Sequence, residues 1–180
     1  MASDPHPLVR VMLAVTVDGF IAREDGSFDF LDRYSECFTD WDDFIAGIDT
    51  VVMGRSTYEH AIELDRWLYK DKRIRVLTSR PIDDAPNNVE AFDDAADLVT
   101  RITSDATGDI WHMGGGLAIE PFERAGLIDR WEIYTVPVRL GRGIPLFRSS
   151  DRGSDLRLTK LNQLPQGVIE AWYEPAEREG

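Results

Sequence analysis

The chain has 180 residues, 43% of them hydrophobic, and a formal net charge of −13 at pH 7. This length and composition predict one domain with a hydrophobic core. The negative charge excludes a general nucleic-acid binder, and no apolar run reaches the roughly 18 residues of a membrane span. Cys37 is the single cysteine, so we expect neither an intrachain disulfide nor a cysteine-based zinc site. The N-terminus lacks a signal-peptide pattern, and a cytoplasmic protein is expected.

The first half of the chain alternates strand and helix patterns. Residues 8–17 are rich in branched apolar side chains and predict a central strand, whereas 18–30 has the composition of a long loop. A short amphipathic helix is predicted over 39–48. A second buried strand follows at 50–54, and a helix at 56–64.

The pattern continues through the middle of the chain. Residues 73–79 predict a third strand, and a short strand follows at 89–91. The segment 93–103 predicts a helix, with acidic residues in its first turn as the helix dipole favours. The stretch 109–116 is a strand that ends in three glycines, and a helix over 117–126 comes next.

Three strand patterns run together at the C-terminal end, at 130–140, 156–164 and 168–175. Alternating strands and helices predict a mainly parallel sheet, to which the C-terminal strands add an antiparallel edge. The predicted fold class is therefore α/β, with helices on both faces of a mixed sheet. The expected organisation is a loosely ordered N-terminus over 1–7, one domain over 8–175 and a frayed tail over 176–180.

The first polar strand end is Gly54, followed by Arg55, Ser56 and Thr57 where a helix begins. The start of a helix has unpaired N–H groups and a partial positive charge. A glycine admits an anion close to the backbone, and the arginine and hydroxyls add donors. The segment therefore predicts a phosphate cradle. The alternative is that a hydroxyl only caps the helix and Arg55 is a surface charge.

The second polar strand end is formed by Thr78, Ser79 and Arg80, and Pro81 forces the turn. Loops at strand ends are where open α/β sheets bind ligands. These side chains suit a phosphomonoester, which they would hold by charge-assisted hydrogen bonds. A capped turn with a solvated arginine is the alternative.

The third strand end has three consecutive glycines, Gly114, Gly115 and Gly116. Their entropic cost is explained by close approach of the backbone to a ligand, such as a diphosphate at a helix start. Close packing of strand against helix is the alternative. One dinucleotide would use all three strand ends, and a 2′-phosphate on Ser79 and Arg80 favours NADPH over NADH.

Five segments, in this order, resemble the dihydrofolate-reductase-like superfamily and, within it, the reductase domain of the bifunctional deaminase/reductases of riboflavin biosynthesis. They are AVTVDGFIA, DTVVMGRSTYE, VLTSRP, HMGGG and YTVPVRLGRGIPLF, and they cover most of residues 8–173. No zinc-deaminase signature is present, so the resemblance is to a free-standing reductase domain. It implies a three-layer sandwich around the mixed sheet, and NADPH as hydride donor.

The resemblance also implies the residues that bind the cofactor. Ala14 matches the first-strand position whose backbone meets the nicotinamide carboxamide, and Ile21 matches the loop position beside the nicotinamide. The helix start on the diphosphate side corresponds to Gly54, Arg55, Ser56 and Thr57. The loop that binds the 2′-phosphate corresponds to Leu77, Thr78, Ser79 and Arg80. The second phosphate-binding turn corresponds to Gly114, Gly115 and Gly116.

The catalytic residues are less constrained. Folate reductases grip the pteridine with a carboxylate of the first helix, but the spacing between Ile21 and Gly54 differs here. We take Asp40 as the catalytic carboxylate, with Thr135 as the contribution of the strand that the family uses in its pocket. The other open candidates for the carboxylate are Asp29, Glu36, Asp42 and Asp43.

Three residues are candidates for binding a small-molecule substrate. Trp41 would stack on a flat ring, and Arg139 and Arg142 would hold a substrate phosphate. The alternatives are a packing role for Trp41 and rim arginines that offset an acidic surface. The three scattered histidines form no metal constellation.

These observations predict an NADPH-dependent reductase, most similar to the enzymes that reduce a phosphoribosylamino-pyrimidine. Reduction of dihydrofolate is one alternative, and an NADPH-binding module without turnover is another. Loop 18–30 is the expected lid. A homodimer through the C-terminal sheet edge is compatible with the resemblance.

Overall fold

A computed structural model of the protein describes residues 7–37, 41–63, 69–147 and 153–176. The expected loose N-terminus and frayed tail lie almost wholly outside these ranges and stay predictions. None of the helices in the described ranges is long and apolar enough to cross a membrane.

The described residues form ten strands. They are β1 (Val9–Thr16), β2 (Phe20–Ala22), β3 (Ile48–Gly54), β4 (Arg73–Leu77), β5 (Val89–Phe92), β6 (Asp109–His112), β7 (Arg130–Val136), β8 (Ile144–Pro145), β9 (Leu156–Gln163) and β10 (Ile169–Pro175). Eight of them form one sheet in the order β5-β4-β3-β6-β1-β7-β10-β9, and β2 pairs with β8. The first six in this order are parallel, and β10 is antiparallel to both of its neighbours, β7 and β9. This confirms the predicted mixed, mostly parallel sheet.

Helices cover both faces of this sheet. The α-helices are α1 (Trp41–Gly47), α2 (Arg55–Glu63), α3 (Ala95–Asp105) and α4 (Gly116–Arg124), and 3-10 helices span Asp29–Cys37 and Pro165–Gly167. Side chains of a strand alternate between faces. Accordingly, Val11 of β1 shares a buried cluster with Ile102 of α3 and Phe122 of α4, whereas Met12 shares one with Phe44 of α1.

The order of the strands determines where loops meet. The chain runs outward from β3 to β5 and then returns, so that β6 inserts between β3 and β1. The carboxyl ends of β4, β3, β6 and β1 therefore lie side by side at one edge. In open α/β sheets this is the edge where ligands bind.

The segment 18–30 differs from the expected long loop. It contains β2 and leads into the 3-10 helix Asp29–Cys37. Strand β2 pairs with β8 through Phe20 opposite Pro145 and Ala22 opposite Ile144. Because the partner strand lies far away in the chain, local sequence gives no sign of this pairing.

Gly143 is expected to be essential for this pairing. A Cβ at Gly143 would overlap the Ala22 carbonyl oxygen, so Gly143→Ala forces β8 away from β2. Overpacking of this kind lowers the free energy of unfolding by about 1–3 kcal/mol, which urea unfolding measures. At Gly153 nothing lies within 4 Å of the Cβ position, so Gly153→Ala is the control. Equal stability of the two variants would contradict the prediction.

Candidate active site

The turns after β3, β4 and β6 lie together at the carboxyl edge of the sheet. Gly54 at the end of β3 pairs with Leu77 at the end of β4, and Val52 of β3 pairs with His112 at the end of β6. The three polar strand ends of the sequence are therefore neighbours in space.

Arg55 joins the first two turns directly. Its Nη1 donates to the carbonyl oxygens of Arg80 and Pro81 at 3.0 and 2.8 Å. Its Nε donates to Glu59 Oε1 at 2.6 Å. The guanidinium thus ties the start of α2 to the turn after β4. Ser56 is exposed at the same helix start.

Thr78 closes the turn after β4. Its Oγ1 accepts the Arg80 N–H at 3.2 Å and donates to the Arg80 carbonyl at 3.1 Å, so the hydroxyl is used within the turn. Leu77 packs against the α3/α4 side of the core. Ser79 and Arg80 are exposed at the tip, and they are the side chains of this turn that an anion in solution can reach.

The glycine turn lies against the start of α2. Gly114 and Gly115 have φ of +118° and +87°, a region that favours glycine. A Cβ at Gly115 would lie 3.8 Å from Thr57 Oγ1. Gly115 is the N-cap of α4, which begins at Gly116, and it provides no capping side chain. The N–H groups at the start of α4 thus fit an anion such as a diphosphate.

His112 supports this turn from inside the protein. The ring is fully buried, and its Nε2 lies 2.8 Å from the Ala118 carbonyl oxygen. Its Nδ1 accepts the Gly114 N–H at 3.4 Å. Both contacts require a neutral ring with the proton on Nε2. Burial lowers the pKa of His112 to about 4, which keeps the ring neutral near pH 7.

Asp18 fixes the loop that follows β1. Its carboxylate accepts the Thr16 hydroxyl at 2.6 Å and the backbone N–H groups of Leu140 and Gly141 at 3.2 and 2.7 Å. The loop after β1 is thereby bonded to the loop after β7. This interlock, together with the β2–β8 pair, holds the segment that was expected to be a lid.

The Asp18 interlock is expected to weaken in acid. The hydrogen bond from Thr16, with those from Gly141 and Leu140, lowers the pKa of Asp18 to about 2. A lowered folded-state pKa contributes stability above the unfolded-state value, about 4, and the contribution is lost as the pH falls through about 2. Asp18→Asn should therefore destabilise the protein near pH 7 and have little effect near pH 2. Urea unfolding of both proteins across this range measures the difference, and a pH-independent difference would contradict it.

A cavity of about 230 Å³ opens on the α1 side of the sheet. Its walls come from β1, β7, β10 and α1. The lining residues are Arg10, Met12, Trp41, Asp43, Phe44, Glu132, Tyr134 and Trp172. Tyr134 pairs with Ala14 in the parallel register, so the cavity adjoins the part of β1 that leads to the carboxyl edge.

A buried ion pair forms one wall of the cavity. Arg10 donates from Nε and Nη2 to the two carboxylate oxygens of Glu132, at 2.6 and 3.0 Å, and Glu132 is 1% exposed. Arg10 also bonds to Asp109 at 3.1 Å and lies over the ring of Phe44 at 4.6 Å. Since the arginine is already bonded to two carboxylates, it serves to shape the wall.

A second buried carboxylate, Glu170, lies beside Tyr134. It accepts hydrogen bonds from the Tyr134 hydroxyl at 3.1 Å, Lys160 at 2.9 Å, Asn162 at 2.8 Å and Trp172 Nε1 at 2.9 Å. Burial alone would raise the pKa of Glu170, but the hydrogen bonds from Lys160, Asn162 and Tyr134 lower it overall. Tyr134 thus lines the cavity while its hydroxyl is hydrogen-bonded to an ionised carboxylate.

Comparison with known proteins identifies the family. The sequence profile of the RibD C-terminal domain matches residues 7–169. The chain belongs to the RibD C-terminal domain family. It is 38% identical over 159 residues to the uncharacterized protein YwjB of Bacillus subtilis, covering 87% of this chain and 91% of that protein. It is 28% identical over 177 residues to the uncharacterized protein YyaP of the same organism, covering 89% and 91%.

Solved structures agree with this fold. A putative riboflavin biosynthesis protein from Shewanella has a TM-score of 0.83 and 23% identity, covering 94% of this chain and 99% of the other. A diaminohydroxyphosphoribosylaminopyrimidine deaminase/5-amino-6-(5-phosphoribosylamino)uracil reductase from Thermotoga maritima has a TM-score of 0.72 and 14% identity. The match covers 95% of this chain and 57% of that larger protein. The resemblance deduced from the sequence motifs is confirmed.

In this RibD C-terminal domain, β7 directs Tyr134 and not Thr135 into the cavity. Tyr134 belongs to the buried cluster on the α1 side, whereas Ile133 belongs to the cluster on the α3/α4 side. Alternation along the strand assigns Thr135 to the side of Ile133. Thr135 is therefore not among the residues that line this cavity, and its catalytic role stays a prediction.

The candidate catalytic carboxylates lie in different parts of the structure. Asp43 of α1 lines the cavity. Asp29 is bound by Arg23 at 2.6 Å in an exposed ion pair, and Glu36 and Asp42 are exposed. Asp40 lies outside the described residues and stays a prediction.

The remaining site residues of the RibD C-terminal domain have different environments. Trp41 lines the cavity, as a stacking role requires, and its ring also packs edge-on against Trp111 at 5.4 Å. Arg139 and Arg142 are exposed on the loop after β7 and do not line the cavity. Ile21 lies in β2 and packs towards the α3/α4 side.

Proposed function

We propose that the protein is an NADPH-dependent reductase that transfers hydride to a small heterocyclic or phosphoribosyl substrate. The most specific candidate is a substrate of the 5-amino-6-(5-phosphoribosylamino)uracil type. The observation that carries the proposal is the meeting of three turns rich in glycine, hydroxyl and arginine residues at one sheet edge, together with a cavity lined by Tyr134, the register partner of Ala14. The name of the Thermotoga structure includes a reductase, and the Shewanella structure is named a putative riboflavin biosynthesis protein; both names support this proposal.

The described residues fit NADPH. Ser79 and Arg80 would hold the 2′-phosphate, because both are exposed. The glycine turn would hold the diphosphate, because no side chain caps the N–H groups at the start of α4. Arg55 ties the start of α2 to the turn after β4. The nicotinamide would lie at the end of β1, near Ala14 and Ile21. When bound, NADPH supplies the hydride.

The cavity residues would orient the substrate and provide the proton. Trp41 offers an aromatic surface for a flat ring, and Asp43 offers a carboxylate at the cavity wall. Tyr134 offers a hydroxyl within hydrogen-bond distance of Glu170. Trp41 and Tyr134 would fix the substrate against the nicotinamide, and Asp43 or an ordered water would deliver a proton to its heteroatom.

The test is NADPH oxidation, followed at 340 nm, with a panel that contains 5-amino-6-(5-phosphoribosylamino)uracil and dihydrofolate. Turnover of the pyrimidine with NADPH and a preference over NADH is the expected result. NADPH that binds but is not consumed with any substrate would favour a binding module, and absence of coenzyme binding would overturn the proposal.

Trp41→Ala should raise KM for the substrate without changing the Kd of NADPH.

Dihydrofolate is the second candidate, for one specific reason. Asp43 is a carboxylate of the first α-helix at the cavity wall, as in the resemblance to folate reductases. Asp43→Asn would then abolish turnover of dihydrofolate, whereas turnover of the pyrimidine alone would reject this candidate.

A further inference from the structure

We propose that His112 is a positioning residue of the coenzyme site, whose imidazole holds the glycine turn and the first turn of α4 in the arrangement that binds the diphosphate. The inference rests on the proposed function, because it assumes that a coenzyme diphosphate binds at this turn. His112 itself is buried and touches no ligand.

The first step concerns the backbone that the ring connects. Nδ1 accepts the N–H of Gly114, and Nε2 donates to the carbonyl of Ala118. The segment between these two bonds contains Gly115, Gly116 and Leu117, whose N–H groups begin α4. Glycine-rich backbone has many accessible conformations, and tying both of its ends removes most of them before the ligand arrives.

The second step concerns what else fixes the turn. No side chain caps α4, since its N-cap is Gly115. A Cβ added at Gly114 or Gly115 would lie 3.7 Å from Leu13 or 3.8 Å from Thr57, so these two side chains border the turn. The imidazole bonds to it from within, and its ring packs edge-on against Phe122 of α4 at 5.0 Å. Strand end, turn and helix are thus held by one side chain.

The third step separates the two hydrogen bonds. Asparagine presents an amide oxygen near the position of Nδ1 and keeps an acceptor for Gly114. Glutamine presents an amide nitrogen near the position of Nε2 and keeps a donor for Ala118. Phenylalanine keeps the ring volume and removes both bonds. The three variants therefore separate the two hydrogen bonds from each other, and of the three only phenylalanine keeps a ring against Phe122.

The experiment measures the Kd of NADPH and of adenosine 2′-monophosphate for each protein by calorimetric titration. The monophosphate carries the 2′-phosphate but no diphosphate, so it reports only on the turn of Ser79 and Arg80. His112→Phe should weaken NADPH at least about tenfold, as loss of two buried hydrogen bonds implies. It should change the Kd of the monophosphate less than about twofold. His112→Asn and His112→Gln should fall between Phe and wild type.

The control is Asn88→Leu. Asn88 Nδ2 also bonds to two backbone carbonyls, of Tyr69 and Lys72 at 2.8 and 2.9 Å, but it precedes β5 at the opposite edge of the sheet. Its loss should lower thermal stability and leave both Kd values unchanged. If His112→Phe does not fold, the Asn and Gln variants carry the test.

The outcomes are distinguishable. Unchanged NADPH binding in the His112 variants, or equal weakening of NADPH and the monophosphate, would overturn this inference and leave the proposed function intact. A wild-type protein that binds neither probe would overturn the proposed function, and this inference with it.

Discussion

Replacing Gly115 with valine is expected to abolish the binding of both NADPH and NADH, with a loss of affinity of more than about 100-fold. Gly115 has φ +87° and ψ 107°, and a β-branched residue in such a conformation is strained by about 1–3 kcal/mol. The added methyl groups also approach Thr57, since the Cβ alone would lie 3.8 Å from its Oγ1. The turn must then reorient, and the N–H groups at the start of α4 lose their alignment. Fluorescence titration with each coenzyme measures the effect.

Gly126→Val is the matched control for this experiment. Gly126 has φ +67° at the other end of α4, and nothing lies within 4 Å of its Cβ position. Gly126→Val introduces the same kind of backbone strain away from the site. This variant should be less stable than wild type but should bind both coenzymes with unchanged affinity. Retained binding in Gly115→Val would mean that the three glycines serve only the packing of strand against helix.

Removing the Arg80 side chain should weaken NADPH about 10- to 100-fold and NADH less than about twofold. This difference is what loss of a charge-assisted hydrogen bond to the 2′-phosphate predicts. The change is expected to be local, because it is the backbone carbonyl of Arg80 that receives the Arg55 guanidinium, and alanine keeps that carbonyl. Comparison of the two Kd values in Arg80→Ala at constant ionic strength measures the effect.

Arg101→Ala is the control for the loss of one positive charge. Arg101 lies on α3 and pairs with Glu90 and Asp105 away from the carboxyl edge, so its removal should affect the two coenzymes equally and weakly. Equal losses of NADPH and NADH in Arg80→Ala would reject the assignment of the 2′-phosphate to this turn.

The main elements of the fold follow from local pattern. The eight main strands and the four α-helices carry branched apolar runs or amphipathic periodicity that is visible along the sequence. Strands β2 and β8 have three and two residues and exist because they pair with each other across the chain. The 3-10 helix Asp29–Cys37 buries Phe30 and Tyr34 against the sheet, and this depends on tertiary packing that no local pattern records.

The three polar strand ends could be picked out from the sequence because glycine, hydroxyl and arginine residues at strand ends have a chemical meaning without knowledge of the fold; that they bind a coenzyme stays a prediction. The cavity could not be predicted from the sequence, because the residues that form its wall depend on which face of each strand they occupy. A shift of one residue moves every side chain of a strand to the other face, and this separates Tyr134 from Thr135. One sign of the cavity wall was present in the sequence. Arg10 and Glu132 are opposite charges inside two apolar strands, and such charges are buried only when they form an ion pair.

The position of β1 in the sheet has a consequence for synthesis of the protein. This first strand has β6 and β7 as its neighbours, with Val9 opposite Ile110 and Arg10 opposite Arg130. Both partners leave the ribosome about a hundred residues later, whereas β3, β4 and β5 can associate as they emerge. A nascent chain interrupted before β6 therefore leaves β1 without a partner strand, with its valine-rich surface open to aggregation.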